Sequence, residues 1–87
     1  MNNTLYVGNL PYESKETEVE TLFSQVGEVL DVRIVVDRFT QRSRGFGFVD
    51  MADEEMARMA IEELDGAELG GRSLRVAEAN PRPGRGN

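Results

Sequence analysis

Hydrophobic residues alternate with polar ones in four segments of the chain, and this two-residue period predicts four half-buried β-strands. The inward positions of the four strands, in chain order, are Leu5 and Val7, then Leu30, Val32 and Ile34, then Val49 and Met51, and finally Leu74 and Val76. The first strand ends at the turn signal Gly8-Asn9. A polar, basic connection at residues 37–43 leads into the third strand, at 44–51, with the spacing of a hairpin.

Two further segments carry apolar residues at the three- and four-residue spacing of a helix. The first stripe consists of Val19, Leu22, Phe23 and Val26, and the second of Ala57, Ala60, Ile61 and Leu64. We expect Ser14 to cap the first helix without a capping box, because Thr17 rather than Glu stands three residues on, and Gly27 to end it. We expect Asp53 to cap the second helix, which ends at Asp65-Gly66.

The predicted element order, βαββαβ, restricts how one sheet can close. A right-handed strand-helix-strand unit leaves a gap between its two strands, and in the split form a strand of the other unit fills that gap. We therefore expect an α+β, ferredoxin-like sandwich with a four-stranded antiparallel sheet in the order 4-1-3-2 and two helices on one face. Both helical stripes are narrow, so the other face is left to solvent. This domain is expected at residues 1–80, followed by a short, flexible, basic tail at 81–87.

Side-chain parity decides which residues the third strand presents to solvent. One face carries Arg44, Phe46, Phe48 and Asp50. Turning the phenylalanines inward would also bury the two charges, which costs far more than the roughly 1.5–3 kcal/mol that burying a Phe contributes. The phenylalanines are therefore expected to point outward. Gly45 and Gly47 are expected beneath the helices, where a missing side chain permits close approach.

The same parity places further residues on the open face. They are Tyr6 on the first strand, Arg33 and Val35 on the second, and Arg75 and Ala77 on the fourth. Three aromatic rings with arginines around them suit single-stranded nucleic acid, because bases stack on rings while guanidinium groups meet phosphates. The alternative is that the rings stabilise the sheet through cross-strand pairs, or are covered by the tail or by a second molecule.

The charges are segregated along the chain, which changes the meaning of the net charge of −6. Residues 13–31 carry six acids and one base, and 50–68 carry eight acids and one base. Residues 33–48 and 69–87 each carry four bases and one acid. We expect the acidic helices to repel RNA from the back of the domain and so to confine it to the sheet.

Composition also excludes several kinds of chemistry. The chain contains neither cysteine nor histidine, so disulfides, zinc sites and thiol nucleophiles are not expected. We predict no catalytic residue, no metal, no cofactor and no small-molecule substrate, and therefore no enzyme. The acids Asp53, Glu54 and Glu55 are explained by the dipole of a helix N-terminus. The sequence indicates neither a membrane span nor a secretion signal, so we expect no membrane contact. The predicted compartment is the cytoplasm, and a bacterial cytoplasm is favoured. In a eukaryote, the predicted compartment is the nucleus or the cytoplasm.

Two segments resemble the paired motifs of the RNA recognition motif family. Leu5-Tyr-Val-Gly-Asn-Leu10 is similar to RNP2 and Arg44-Gly-Phe-Gly-Phe-Val-Asp-Met51 to RNP1, within a resemblance that runs from about residue 3 to about residue 80. In layout the chain is similar to small single-domain RNA-binding proteins of bacteria and to the recognition domain of glycine-rich RNA-binding proteins. The resemblance implies that Tyr6 and Phe48 each stack on a base, that Phe46 lies near the sugars and that Arg44 meets a phosphate. The predicted RNA-binding set is completed by Asn9, Arg33, Arg75, Ala77, Ala79 and Asn80.

The predicted ligand is single-stranded RNA, bound by a monomer that acts as a post-transcriptional regulator or RNA chaperone, with single-stranded DNA and a protein as further partners. The alternative function is a protein-interaction module of the same fold that uses the acidic helices or the aromatic face. Four positions depart from the family pattern. Met51 replaces an aromatic residue on the core side, and Ala77 removes one side chain that could read a base. In the loop before the third strand, Phe39 and Gln41 replace an acidic residue and a glycine, and we interpret Phe39 as an incidental exposed aromatic.

Overall fold

The computed structural model describes residues 3–79. In chain order the elements are β1 (Thr4–Gly8), α1 (Glu16–Ser24), β2 (Val29–Val36), β3 (Ser43–Met51), α2 (Glu54–Leu64), β4 (Glu68–Leu69), β5 (Arg72–Ser73) and β6 (Arg75–Glu78). Neither helix of this part of the chain is long and apolar enough to cross a membrane. The predicted tail at 81–87 and the domain boundary at residue 80 lie outside the described residues.

Four strands form one antiparallel sheet in the order β2-β3-β1-β6. Because β6 is the predicted fourth strand, this arrangement confirms the predicted order 4-1-3-2. The central strand β1 pairs on both sides, so that Tyr6 lies opposite Phe48 on β3 and opposite Ala77 on β6. The two motifs quoted above are therefore brought side by side at the centre of the sheet.

The hydrophobic core lies between one face of the sheet and the two helices. Its buried members are Leu5, Val7, Leu10, Val19, Phe23, Val49, Met51, Ala57, Ala60, Leu64, Leu74 and Val76. All the predicted inward residues of the first, third and fourth strands belong to this set. Tyr6, Phe46 and Phe48 do not. Burial of apolar area therefore fixes which face of the sheet turns to the helices and which is left open.

Strand β2 departs from strict alternation near its start. Val29 pairs with Met51 and Asp31 with Asp50, so Leu30 is an extra residue on β2. This β-bulge turns Leu30 outward, where it is 59% exposed, and Val29 packs against the core in its place. The prediction that Leu30 faces inward was wrong, because alternation along one strand does not reveal an extra residue relative to its partner.

The two helices begin differently from one another. Asp53 caps α2 as predicted, and its Oδ1 accepts a hydrogen bond from the backbone N–H of Met56 at 2.8 Å. The N-cap of α1 is Lys15, whose backbone N–H donates to the Glu18 carboxylate at 3.1 Å. The predicted cap at Ser14 was wrong, because the helix starts one residue later and Glu18 supplies the reciprocal hydrogen bond that Thr17 lacks.

A short hairpin, formed by β4 and β5, precedes β6 and was not predicted. Gly70 and Gly71 have φ angles of 59° and 85°, the left-handed conformation that a two-residue hairpin turn requires. The hairpin is attached to the end of β1, because the Asn9 side-chain amide donates to the Ser73 carbonyl at 2.7 Å. The Gly-Gly pair is the sequence signal that indicates such a turn.

Candidate nucleic-acid interface

Three aromatic rings form a cluster on the sheet face that is turned away from the helices. The ring centroids are separated by 5.8 Å between Tyr6 and Phe46, 6.2 Å between Tyr6 and Phe48, and 6.1 Å between Phe46 and Phe48. All three residues are half-buried. Since the rings cover part of one another and leave the rest to solvent, they form one continuous surface, which we call the aromatic platform. The predicted outward orientation is confirmed.

Gly8 allows the Tyr6 ring to lie along β1. A Cβ atom at Gly8 would lie 2.6 Å from the Tyr6 hydroxyl oxygen and 2.8 Å from the ring carbon Cε2. Phe46 is the residue opposite Gly8 in the pairing of β1 with β3. The absence of a side chain at position 8 therefore leaves the space in which the Tyr6 and Phe46 rings meet.

The two glycines of β3 have neighbours other than those predicted. A Cβ atom at Gly47 would collide with the Arg33 carbonyl oxygen, so the close approach is to the backbone of β2 and not to a helix. At Gly45 the φ angle is 89°, which favours glycine, and the pairing of β2 with β3 shifts register around it. Its nearest neighbours are the Tyr12 ring and the Leu10 carbonyl. The crowding expected beneath the helices thus comes from a neighbouring strand and from the loop that follows β1.

Arg33 is on the open face as predicted, but it is paired with carboxylates. Its Nη1 lies 3.2 Å from Asp31 Oδ2 and 3.6 Å from Asp50 Oδ2. Asp50 is itself held by the Thr4 hydroxyl, which donates to Oδ1 at 2.6 Å. With two carboxylates beside one guanidinium, this end of the open face does not present a free positive charge to a phosphate. The ion pairs were not predicted, although parity places Asp31 and Asp50 on the same face as Arg33.

The other end of the open face keeps its positive charge. Arg75 lies opposite Gly8 on β6, and Arg44 lies two residues before Phe46 on β3. Both are exposed, and neither forms an ion pair with a carboxylate of residues 3–79. A hollow beside the Tyr6 ring is lined by Tyr6, Asp65, Arg75, Val76 and Ala77. The arginines available for phosphates therefore cluster at the end of the sheet where β1 ends.

The remaining predicted residues have different positions. Ala77 is exposed beside Tyr6 on β6. Ala79 extends the pairing with β1, because its backbone N–H donates to the Thr4 carbonyl at 2.9 Å. Asn9 has both ends of its side-chain amide engaged, since it donates to the Ser73 carbonyl and accepts from Arg72 at 2.7 Å. The assignment at Asn80 lies outside the described residues.

The loop between β2 and β3 is ordered by Asp37. Its carboxylate accepts hydrogen bonds from the backbone N–H groups of Phe39 at 2.8 Å and Thr40 at 3.1 Å. These two hydrogen bonds, Thr40 first, lower the pKa of Asp37, with a further contribution from the charge of Arg44. Phe39 is 86% exposed on this turn, and Gln41 has a φ angle of 64° at the position where a glycine is often found in the family.

No acidic cluster of the described part of the chain groups three side chains closely enough to hold a metal ion. What the surface offers instead is a cluster of exposed aromatic ring surface, with the Phe46 and Phe48 rings nearly perpendicular at 89°, and with guanidinium groups at one end. Such a surface can stack planar groups and attract anions.

Comparison with known proteins agrees with this geometry. A family model described as "RNA recognition motif" matches residues 5–75, so the chain belongs to the RNA recognition motif family. The glycine-rich RNA-binding protein 2, mitochondrial, of Arabidopsis thaliana is 46% identical over 83 residues, which are 95% of this chain and 52% of that protein. The crystal structure of an RNA-binding protein called PG1 superposes with a TM-score of 0.87 at 51% identity, over 94% of this chain and 99% of that one.

A solved structure that contains RNA has the same fold. The Sxl-lethal protein/RNA complex superposes with a TM-score of 0.88 at 33% identity, over 94% of this chain and 49% of the other. The chain spans between 25% and 52% of the length of curated relatives that it matches. Several of these plant relatives carry the word chloroplastic or mitochondrial in their names.

Proposed function

We propose that this domain binds single-stranded RNA on the open face of its sheet. The observation that carries the proposal is the aromatic platform, in which three half-buried rings lie within 6.2 Å of one another outside the core. An exposed apolar patch on a protein surface commonly marks a binding site. Unpaired bases are the planar partners that aromatic rings accept by stacking. The names of the family and of its RNA-binding relatives support the same ligand.

In the proposed complex Tyr6 and Phe48 each stack on one base, and Phe46 packs against the sugars between them. Arg44 and Arg75 neutralise phosphates at the end of the sheet where β1 ends. Ala77 and Ala79 line the path of the RNA strand without reading a base. Asn9 and Asn80 complete the predicted RNA-binding set. Arg33 has a smaller role than was predicted, because Asp31 and Asp50 already neutralise it.

The free energy available from base stacking indicates RNA binding of moderate strength. At roughly 1–3 kcal/mol per stacked base, the two bases on Tyr6 and Phe48 supply about 2–6 kcal/mol before the cost of ordering the RNA, and the packing of Phe46 against the sugars adds to this. A micromolar dissociation constant corresponds to about 8 kcal/mol. We therefore propose an adaptable binder of RNA, acting in post-transcriptional regulation or as an RNA chaperone, and not an enzyme. We further propose that it works as a monomer in the cytoplasm, and that single-stranded DNA is a further ligand.

The test is the affinity of pools of short single-stranded RNA, measured by fluorescence anisotropy. Tyr6→Ala, Phe46→Ala and Phe48→Ala should each weaken binding by roughly 5-fold or more, since each removes a ring worth at least about 1 kcal/mol. Phe39→Ala, at an exposed aromatic away from the platform, is the matched control and should leave short-RNA affinity unchanged. Unchanged affinity in all three platform variants, with the fold intact by circular dichroism, would refute the stacking mechanism.

A further inference from the structure

A further aromatic side chain is held in place beyond the start of β3 without being buried. Tyr12, in the loop between β1 and α1, is 66% exposed. The guanidinium carbon of Arg72 lies 5.9 Å from its ring centroid, within the range of a cation–π contact. The ring also rests against β3, because a Cβ atom at Gly45 would lie 3.5 Å from the ring carbon Cε1. Contacts on these sides position the ring while much of its surface stays open to a ligand.

Arg72, the arginine next to this ring, is itself held in place by a hydrogen bond to the neutral side chain of Asn9. Arg72 Nη2 donates to Asn9 Oδ1 at 2.7 Å, and Asn9 Nδ2 donates to the Ser73 carbonyl at 2.7 Å. Asn9 has a φ of 60°, a left-handed conformation that asparagine adopts more readily than most residues. No carboxylate of residues 3–79 forms an ion pair with Arg72. Its charge is therefore oriented but not neutralised, in contrast to that of Arg33.

We call the site formed by Asn9, Tyr12 and Arg72 the Tyr12 corner. The corner adjoins the end of the sheet at which Phe46 lies, because Gly45, the residue beside the Tyr12 ring, immediately precedes Phe46 in β3. A backbone hydrogen bond of 2.9 Å from the Leu10 N–H to the Gly45 carbonyl joins the loop to the strand at this point. A polynucleotide that leaves the platform past Phe46 and turns round this end of the sheet would meet the corner next.

We propose that the Tyr12 corner is an additional nucleotide position, in which the Tyr12 ring stacks on a base and Arg72 contacts a phosphate of the same strand. The proposal rests on the proposed function, since it needs RNA on the platform. An exposed ring next to an unneutralised guanidinium matches the two chemical parts of a nucleotide. Because the ring and the arginine are already oriented, little side-chain freedom is lost when they bind. The corner is filled only by RNA long enough to extend beyond Phe46.

The first test is a series of oligouridines, lengthened by one nucleotide at a time. At the length that reaches the corner, the wild type should gain roughly 5-fold or more in affinity, which corresponds to one stacked base. Tyr12→Ala should lose this gain and keep its affinity for the shorter RNAs, whereas Tyr12→Phe should keep the gain. If Tyr12→Ala weakens short and long RNAs equally, or leaves the gain intact, the proposal is wrong.

The second test uses tyrosine fluorescence, because the chain has two tyrosines and no tryptophan. Tyr6→Phe makes Tyr12 the sole reporter, and Tyr12→Phe makes Tyr6 the sole reporter. Stacked bases should quench Tyr6 with RNAs of every length that binds, and Tyr12 only with the longer ones. Quenching of Tyr6 without any quenching of Tyr12 would overturn the corner and leave the platform standing. Quenching of neither tyrosine would overturn both.

Discussion

Arg33 is paired across the strands with Asp50, at 3.6 Å between Nη1 and Oδ2, on the same sheet face as the aromatic platform. Asp31 also pairs with Arg33, with 3.2 Å between Asp31 Oδ2 and Arg33 Nη1. The partners are partly exposed, so the pairs contribute little to folding stability. Their consequence is electrostatic, because they remove one of three arginines from the charge available to RNA and leave Arg44 and Arg75.

The first prediction concerns the salt dependence of binding. For a short RNA that covers only the platform, two neutralised phosphates predict a slope of log affinity against log salt of about −1.4. Replacing both partners, Asp31→Asn with Asp50→Asn, frees Arg33 and should move the slope toward about −2 and tighten binding. Anisotropy titrations at several salt concentrations measure both quantities.

A matched variant separates this effect from a general change in net charge. Glu62→Gln with Glu63→Gln removes the same two charges from the exposed surface of α2, far from the platform. It should leave the slope unchanged. Equal effects of the two double variants would mean that Arg33 is not masked by its neighbours.

The second prediction concerns Gly8. Gly8→Ala places a methyl group within 2.6 Å of the Tyr6 hydroxyl oxygen, so the ring must move off the strand. We expect affinity for short RNA to fall about 5-fold, the equivalent of one weakened stack. In a Tyr6→Ala background the same substitution should have almost no effect, because the atom it displaces is gone. Additive losses in the double variant would argue that Gly8 acts through the fold and not through Tyr6.

Parity predicted the outward rings because burial of a core face leaves each strand only one register. Turning Phe46 and Phe48 inward would have buried Arg44 and Asp50, and no pairing could offset that cost. The same rule failed at Leu30, where the face of a residue depends on an extra residue relative to β3. Side-chain parity also could not specify the neighbours of Gly45 and Gly47. These depend on how closely the loop after β1 approaches Gly45 and how closely β2 approaches Gly47.

The functional surface was less predictable than the fold. That Arg33 lies outward follows from alternation, but its ion pairs depend on side-chain conformations that alternation does not specify. Tyr12 and Arg72 are 60 positions apart in the sequence, and only the docking of the β4–β5 hairpin on the end of β1 brings them together. Contacts between loops have no periodic pattern, so the sequence offered no comparable signal for them.

A third prediction concerns the stability of the loop between β2 and β3. Gln41 has a φ of 64°, a conformation that costs a residue with a side chain about 1–2 kcal/mol. Gln41→Gly also removes the exposed hydrogen bond that the Gln41 side chain donates to the Arg38 carbonyl at 3.1 Å. After this loss and the entropy that glycine loses on folding, it should raise the free energy of unfolding by up to about 0.5 kcal/mol. Arg38→Gly, in the same loop without a positive φ, should lower it. Urea unfolding measures both, and a stability loss at Gln41→Gly would contradict the structure of this turn.

A fourth prediction concerns pH. Hydrogen bonds from Thr40 and Phe39 lower the pKa of Asp37, so the folded carboxylate titrates below the ordinary aspartate value of about 3.9. Its contribution to loop order is complete above that value and is lost as the pH falls through the lowered pKa. The amide NMR signals of Phe39 and Thr40 should therefore shift together with a midpoint below about 3.9. A midpoint at or above that value would mean that the two hydrogen bonds are not maintained in solution.

The central claim is that RNA lies on the open sheet face, and an NMR titration with a short single-stranded RNA tests it most directly. We predict that the aromatic signals of Tyr6, Phe46 and Phe48 and the backbone signals of β1 and β3 shift with increasing RNA. Those of the outer surfaces of α1 and α2 should stay in place, because acidic side chains line them. Shifts concentrated on the helices, with the three rings unaffected, would contradict the account and favour a protein-interaction module instead.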